Sequence, residues 1–174
     1  MTTEYLAADI ENEEGRVKTA YPDPLSPLGR ACAARAIALK DYRLVPGYAA
    51  LSGKPWTVGL GFTGDGIGPS AGMTDVQIDA ELGNRLGAIE STLDRAIPWW
   101  RNLSDERQDV LVQMAYQMGT DGLLGFHDTL KALQAGDFKA AADHMRNSAW
   151  AKRQTPARAL REAHQIETGL RAWA

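Results

Sequence analysis

From Thr74 onward the chain reads as one helix after another, and that single switch constrains the fold more than any other feature. Thr74 with Gln77 makes a capping box. Leu82, Leu86, Ile89, Leu93 and Ile97 then recur at helical spacing until Pro98 ends the run. Ser104 is placed to cap a helix carrying Val110, Leu111, Met114 and Met118, which stops at Gly119. Shorter helices are expected over 127–135, 138–148 and 156–168, the last opened by Thr155-Pro156.

Ahead of that switch the pattern is mixed. Residues 3–14 read as a helix with Thr3 as cap, Tyr5, Leu6 and Ile10 roughly on one face, and Gly15 as the stop. Val17–Tyr21 alternates as a short strand, and Pro22, Pro24 and Pro27 break it off. Ser26-Pro27 starts a predicted helix over 27–40, and 46–55 reads as loop. Trp56–Phe62 reads as one strand, with Trp56, Val58, Leu60 and Phe62 facing one way and Thr57 the other. Residues 63–73 are a glycine-rich loop. Sheet confined to one end predicts an α+β fold. It is a single domain with a small sheet-bearing lobe over 1–73, an insert at 24–55, a linking helix at 74–97 and an all-helical lobe over 98–174. The 174 residues, 44% of them hydrophobic, suffice for such a core.

Charge and composition remove several classes of function. A net charge of -3 gives no basic field for nucleic acid or an anionic membrane. The lone Cys32 rules out an intramolecular disulfide. The opening MTTEYLAADIENEEG has neither the basic nor the apolar region of a signal peptide, and no run of about 18 apolar residues predicts a membrane span. A cytosolic start is therefore expected.

Most apparent chemical signals read as structure. Gly59 to Gly64 matches GxGxxG, but Asp65, Gly66, Gly68 and Pro69 continue the loop where a dinucleotide site needs a helix. His127, His144 and His164 show no close metal-ligand pairing and read as surface or satisfied histidines. Cys32 has no histidine near it in sequence to activate it. Trp99, Trp100 and Trp150 fit core positions on helices better than sugar-stacking ones. The segment from Glu13-Glu14-Gly15 to Asp23 differs: it sets a carboxylate at a helix end, then a short strand, then a second carboxylate. A helix C-terminus disfavours an ionised carboxylate, which suits a general acid. Glycosidases work with two carboxyl groups flanking the scissile bond.

Three ordered stretches give the chain a family likeness. One is Glu14-Gly15 through Tyr21 and Asp23. The second is Trp56-Thr57-Val58-Gly59-Leu60-Gly61. The third runs from Gln117-Met118-Gly119 through Gly125-Phe126 and Trp150 to Gln154-Thr155-Pro156-Ala157-Arg158. Together they resemble the T-even phage lysozyme family, glycoside hydrolase family 24. The resemblance implies a cofactor-free, metal-free muramidase. It would cut the β-1,4 bond between N-acetylmuramic acid and N-acetylglucosamine with inversion, and act as a monomeric endolysin. It would be made in a host bacterial cytoplasm and reach the wall through a holin-like partner, without inserting into the membrane itself. The resemblance implies Glu14 as general acid and Asp23 with Thr57 as holders of the attacking water. Arg158 would pair with Glu14, with Glu13 and Arg161 in support. It puts sugar contacts on Thr63, Tyr116, Thr129 and His144, with Phe126 near the cleft.

Two features depart from the family pattern. Pro24–Pro55 lies where only a few residues usually separate the aspartate from the threonine, which makes Asp41 a possible substitute for Asp23. Phe62 stands where the family tends to have histidine. The insert is expected to pack as an added helix and loop beside the cleft, burying Leu28, Ile37, Leu39 and Leu44, while Val17–Tyr21 pairs antiparallel with Trp56–Phe62. The rivals are a lytic transglycosylase, an amidase, and a non-catalytic wall-binding or virion protein on the same fold.

Overall fold

A computed structural model describes residues 4–171 of the chain, so the expected cap at Thr3 lies outside the described residues. The fold is α+β, with one small antiparallel sheet and a mostly helical remainder. The chain divides into two compact units. Ile10–Leu82 forms a sheet unit, and the residues up to Asp9 together with those from Gly83 on form a helical unit.

The sheet unit begins within helix α1 (Glu4–Glu14), which ends as its sequence predicts. The Gly15 N–H donates to the Glu11 carbonyl at 2.9 Å, and Gly15 takes a φ of 70° that an L side chain resists. Strand β1 (Val17–Pro22) then pairs antiparallel with β2 (Trp56–Gly59), Tyr21 opposite Thr57 and Pro22 opposite Trp56. The ladder is interrupted between Val17 and Tyr21. There Thr19 bridges to Gly72, Ala20 N–H donates to the Ala71 carbonyl at 2.9 Å, and Met73 N–H donates to the Lys18 carbonyl at 2.9 Å. The end of the glycine-rich loop is thus laid along β1.

The single strand expected over Trp56–Phe62 is a hairpin instead, with β3 (Phe62–Thr63) folding back on β2 to give the order β1-β2-β3. Gly59 and Gly61, at φ 68° and 77°, make the reversal that other residues would strain to make. Trp56, Val58, Leu60 and Phe62 are all buried nonetheless, so their alternation conceals the turn.

The insert folds against the same unit, with a shorter helix than expected. Helix α2 spans Pro27–Ala33, its Ser26 hydroxyl accepting the Gly29 N–H at 2.9 Å. Ala36 adopts φ 53°, and turns of 3-10 helix follow at Leu39–Leu44 and Tyr48–Ala50. The face it buries is Leu28, Cys32, Tyr42 and Val45. Of the expected face only Leu28 is in the core: Ile37 and Leu39 are half-buried, and Leu44 is 71% exposed.

Helix α3 (Asp75–Ala96) carries the chain from the sheet unit into the helical one. Its capping box forms as read: Thr74 N–H donates to Gln77 Oε1 at 2.8 Å, and Gln77 N–H returns to Thr74 Oγ1 at 3.3 Å. There follow α4 (Asp105–Met118), α5 (Thr120–Leu124), α6 (His127–Gln134), α7 (Phe138–Asn147) and α8 (Pro156–Thr168). Leu111, Met114, Leu133, Ala159 and Ile166 are among its buried residues. Ser104 stands at the cap of α4, but its hydroxyl makes no capping bond there. No helix among the described residues is long and apolar enough to cross a membrane.

Candidate active site

The stop at Gly15 leaves Glu14 as the last residue of α1, with Gly15 and Arg16 between it and β1. Its carboxylate lies against the hairpin turn: a Cβ added at Gly61 would sit 3.1 Å from Glu14 Oε2. Pairing then sets Tyr21 opposite Thr57 and Thr57 opposite Thr63. Directly paired residues point to the same side of a sheet, so these three side chains form a row across one face. A side-chain hydrogen bond links Tyr21 and Thr57. Burial pushes the Tyr21 phenol above its ordinary value, and the negative charge of Glu14 pushes it further. Glu14, Tyr21, Thr57 and Thr63 are therefore brought together within the sheet unit.

Asp23 stands one residue past the Pro22–Trp56 pair. Its N–H donates to the carbonyls of Gly53 and Pro55, both at 3.0 Å, so it lies across from Pro55, two positions before Thr57. One carboxylate oxygen accepts the Leu25 N–H at 2.7 Å, and the other has no hydrogen bond to a described residue. Asp41 sits in the exposed 3-10 turn of the insert. Phe62, in place of the family histidine, is a core residue whose ring packs under Gly59.

A cluster of charges holds these elements in place. Arg16, just after Glu14, donates to Glu11 at 2.9 and 2.7 Å and to Asp79 at 2.8 Å, while Lys18 reaches Asp75 at 2.7 Å. The hydrogen bond from Arg16 holds the Glu11 carboxyl below its ordinary value, and the one from Lys18 does the same for Asp75.

The helical unit carries a pocket of about 640 Å³ lined by Phe126, Thr129 and His144 together with Met118 and Trp150. It thus gathers three of the residues expected to meet substrate. Tyr116 is half-buried on α4 and is not part of its wall. Trp150 packs edge-to-face on Phe126 at 5.9 Å and donates through Nε1 to Gln117 Oε1 at 3.1 Å. Trp100 and Trp150 are buried and His127, His144 and His164 exposed, as read from sequence, but Trp99, also expected in the core, is only half-buried. Arg158 is buried on α8, its Nε donating to Glu162 at 2.8 Å. Arg161 and Glu13 are half-buried. Among the described residues no group of three or more His, Cys, Asp or Glu is arranged to hold a metal.

Sequence reasoning assigned no role to Tyr21 or Gly61. Their placement depends on the β1–β2 register and on the β2–β3 turn, which sequence spacing leaves open.

Comparison with known proteins places this architecture. A profile of the phage lysozyme family matches residues 37–167. The chain belongs to the phage lysozyme family. It is similar to probable T4-type lysozyme 1 of Dictyostelium discoideum, 37% identical over 70 residues, which cover 40% of this chain and 41% of that protein. Probable T4-type lysozyme 2 of the same organism is 34% identical over 70 residues, with the same coverage of both chains. The pre-baseplate central spike protein Gp5 of Enterobacteria phage T4 is 34% identical over 97 residues, 56% of this chain and 15% of that protein. The chain thus matches well under half the length of each relative. The profile match begins after Glu14 and Asp23, whose assignment rests on their motif and on the sheet geometry.

Proposed function

We propose that the chain is a muramidase that hydrolyses the β-1,4 bond between N-acetylmuramic acid and N-acetylglucosamine in peptidoglycan. The observation that carries this reading is the placement of Glu14: it ends a capped helix, lies against the Gly61 turn, and adjoins the Tyr21–Thr57 row. In this mechanism Glu14 protonates the leaving glycosidic oxygen. The unoccupied oxygen of Asp23 and the Thr57 hydroxyl orient a water on the other face of the sugar, giving inversion. A β-configured first product would count against that stereochemistry.

Digesting purified peptidoglycan and identifying the new ends tests the reading. Reducing sugar ends support it, while amino ends or 1,6-anhydro ends would replace it with an amidase or a transglycosylase. Glu14→Gln keeps the shape but has no proton to give, and general acid catalysis is worth about 10²–10⁴-fold. We expect a loss of that size in a folded variant; retention of more than about a tenth of the activity would remove Glu14 from the mechanism.

Three finer points belong to the same proposal. The pairing of Arg158 with Glu14 rests on the family resemblance, and Arg158→Ala should alter the pH–rate profile as well as the rate. Thr63, Tyr116, Thr129, His144 and Phe126 are proposed to meet the glycan, with Glu13 and Arg161 in support. As an endolysin the protein would act as a monomer released through a holin-like pore, so lysis on expression should require a co-expressed pore protein. The spike-protein relative favours a second reading, in which the chain serves within a virion; its presence in purified particles would support that.

A further inference from the structure

We propose that a pocket of the sheet unit binds the zwitterionic stem peptide of the peptidoglycan strand, an inference that rests on the muramidase reading. The pocket holds about 360 Å³ and is lined by Lys54, Pro55, Thr63, Gly64, Asp65 and Ile67. Thr63 ties it to the candidate site, because Thr63 pairs with Thr57 and continues the row that includes Tyr21. A strand bound along that row brings what hangs from its muramyl sugars to this pocket.

The charges in the pocket select the ligand. Lys54 and Asp65 both line it and both are exposed. The Lys54 ammonium and the Asp65 carboxylate make no ion pair or hydrogen bond with each other or with any described residue. Elsewhere in this unit the cations close to acids are paired with them, as Arg16 is with Glu11 and Lys18 with Asp75. Two opposite charges on one pocket wall, each without a protein partner, match a ligand bearing both signs. The sugars of a peptide-bearing strand carry neither, since the muramyl lactyl carboxyl is tied up as the amide to the peptide. The stem peptide carries carboxylates and, on its diamino acid, an amine. Charge complementarity pairs its carboxylate with Lys54 and its amine with Asp65.

The test uses uncrosslinked peptidoglycan strands in three forms: native, with peptide carboxylates converted to amides, and with peptide amines acetylated. Reducing-end release gives kcat/KM for the full chain and for Lys54→Gln, Lys54→Arg and Asp65→Asn. Solvent-exposed ion pairs predict a loss of about 2- to 5-fold for Lys54→Gln and for Asp65→Asn on native strands, mainly in KM. Amidation should cost the wild type the same factor and Lys54→Gln nothing more; acetylation should stand in that relation to Asp65→Asn. Lys54→Arg should keep the wild-type response. Losses from substitution and chemical modification that multiply, or no loss in either variant, would overturn the peptide pocket. A wild type that releases no reducing ends from any strand would overturn the muramidase reading instead.

Discussion

At the scale of single residues, the site depends on a position with no side chain. Gly61 holds φ 77° at the hairpin turn, and a Cβ there would meet Glu14 Oε2 at 3.1 Å. Gly61→Ala therefore combines backbone strain of about 1–2 kcal/mol with displacement of the proposed acid. We expect a modest fall in Tm and a larger fall in kcat than stability alone accounts for, measured at a temperature where both proteins are folded. Equal kcat in the two proteins would separate Glu14 from the turn. Tyr21 makes a second test. Its phenol, held above its ordinary value by burial and by Glu14, stays protonated at neutral pH and bonds Thr57. Tyr21→Phe removes that bond, worth about 0.5–1.5 kcal/mol, and should lower kcat by about 2- to 10-fold with little change in KM. Unchanged kinetics would make the row structural only.

Among the elements, the charged cluster that joins α1, β1 and the start of α3 makes stability depend on acid. Glu11 and Asp75 titrate below their ordinary values of 4.5 and 3.8 in the folded chain. A carboxylate lowered on folding contributes stability above its unfolded pKa and loses it as pH falls through the folded one. The wild type should therefore lose Tm as pH drops from about 5 toward 3. Arg16→Met should start lower at pH 6 and lose less, so that the two Tm curves converge; parallel curves would remove the cluster from the acid response.

The helices that carry their own punctuation were legible, whereas α2 stops at Ala33 short of the expected residue 40 and the short α5 was not expected. Thr74 with Gln77, Gly15, Gly119 and Thr155-Pro156 all mark helix ends where the sequence puts them. The β2–β3 hairpin was not, because burying Leu60 at the turn continues the alternation of Trp56 and Val58. Nor was the insert's core: Tyr42 and Val45 lie in 3-10 turns and loop, where no period of 3.6 or 2 exists to expose them. For the proposed site, the motif singles out Glu14, Asp23 and Thr57, while the position of Tyr21 opposite Thr57 depends on a pairing register that sequence spacing leaves open.

For the whole molecule, the notable feature is that the helical unit is discontinuous in sequence. The first part of α1 belongs with helices that come more than seventy residues later. Leu6 is 1% exposed, and Asp9 accepts a hydrogen bond from Gln113 at 3.4 Å. Leu6→Ala should cost about 2–5 kcal/mol. Native-state hydrogen exchange should register the loss in α4 and α8 ahead of the β1–β2 ladder; loss confined to the ladder would contradict the division into units. The same arrangement imposes an order of events during synthesis. The segment made before the sheet unit finds its partners only after that unit has been made. At about 5–20 residues per second, Gly83–Ala174 take roughly 5 to 20 seconds to appear. For that time Leu6 and its neighbours are a solvent-exposed apolar strip on a nascent chain, open to capture by a chaperone, while the intervening residues of the sheet unit are already free to fold.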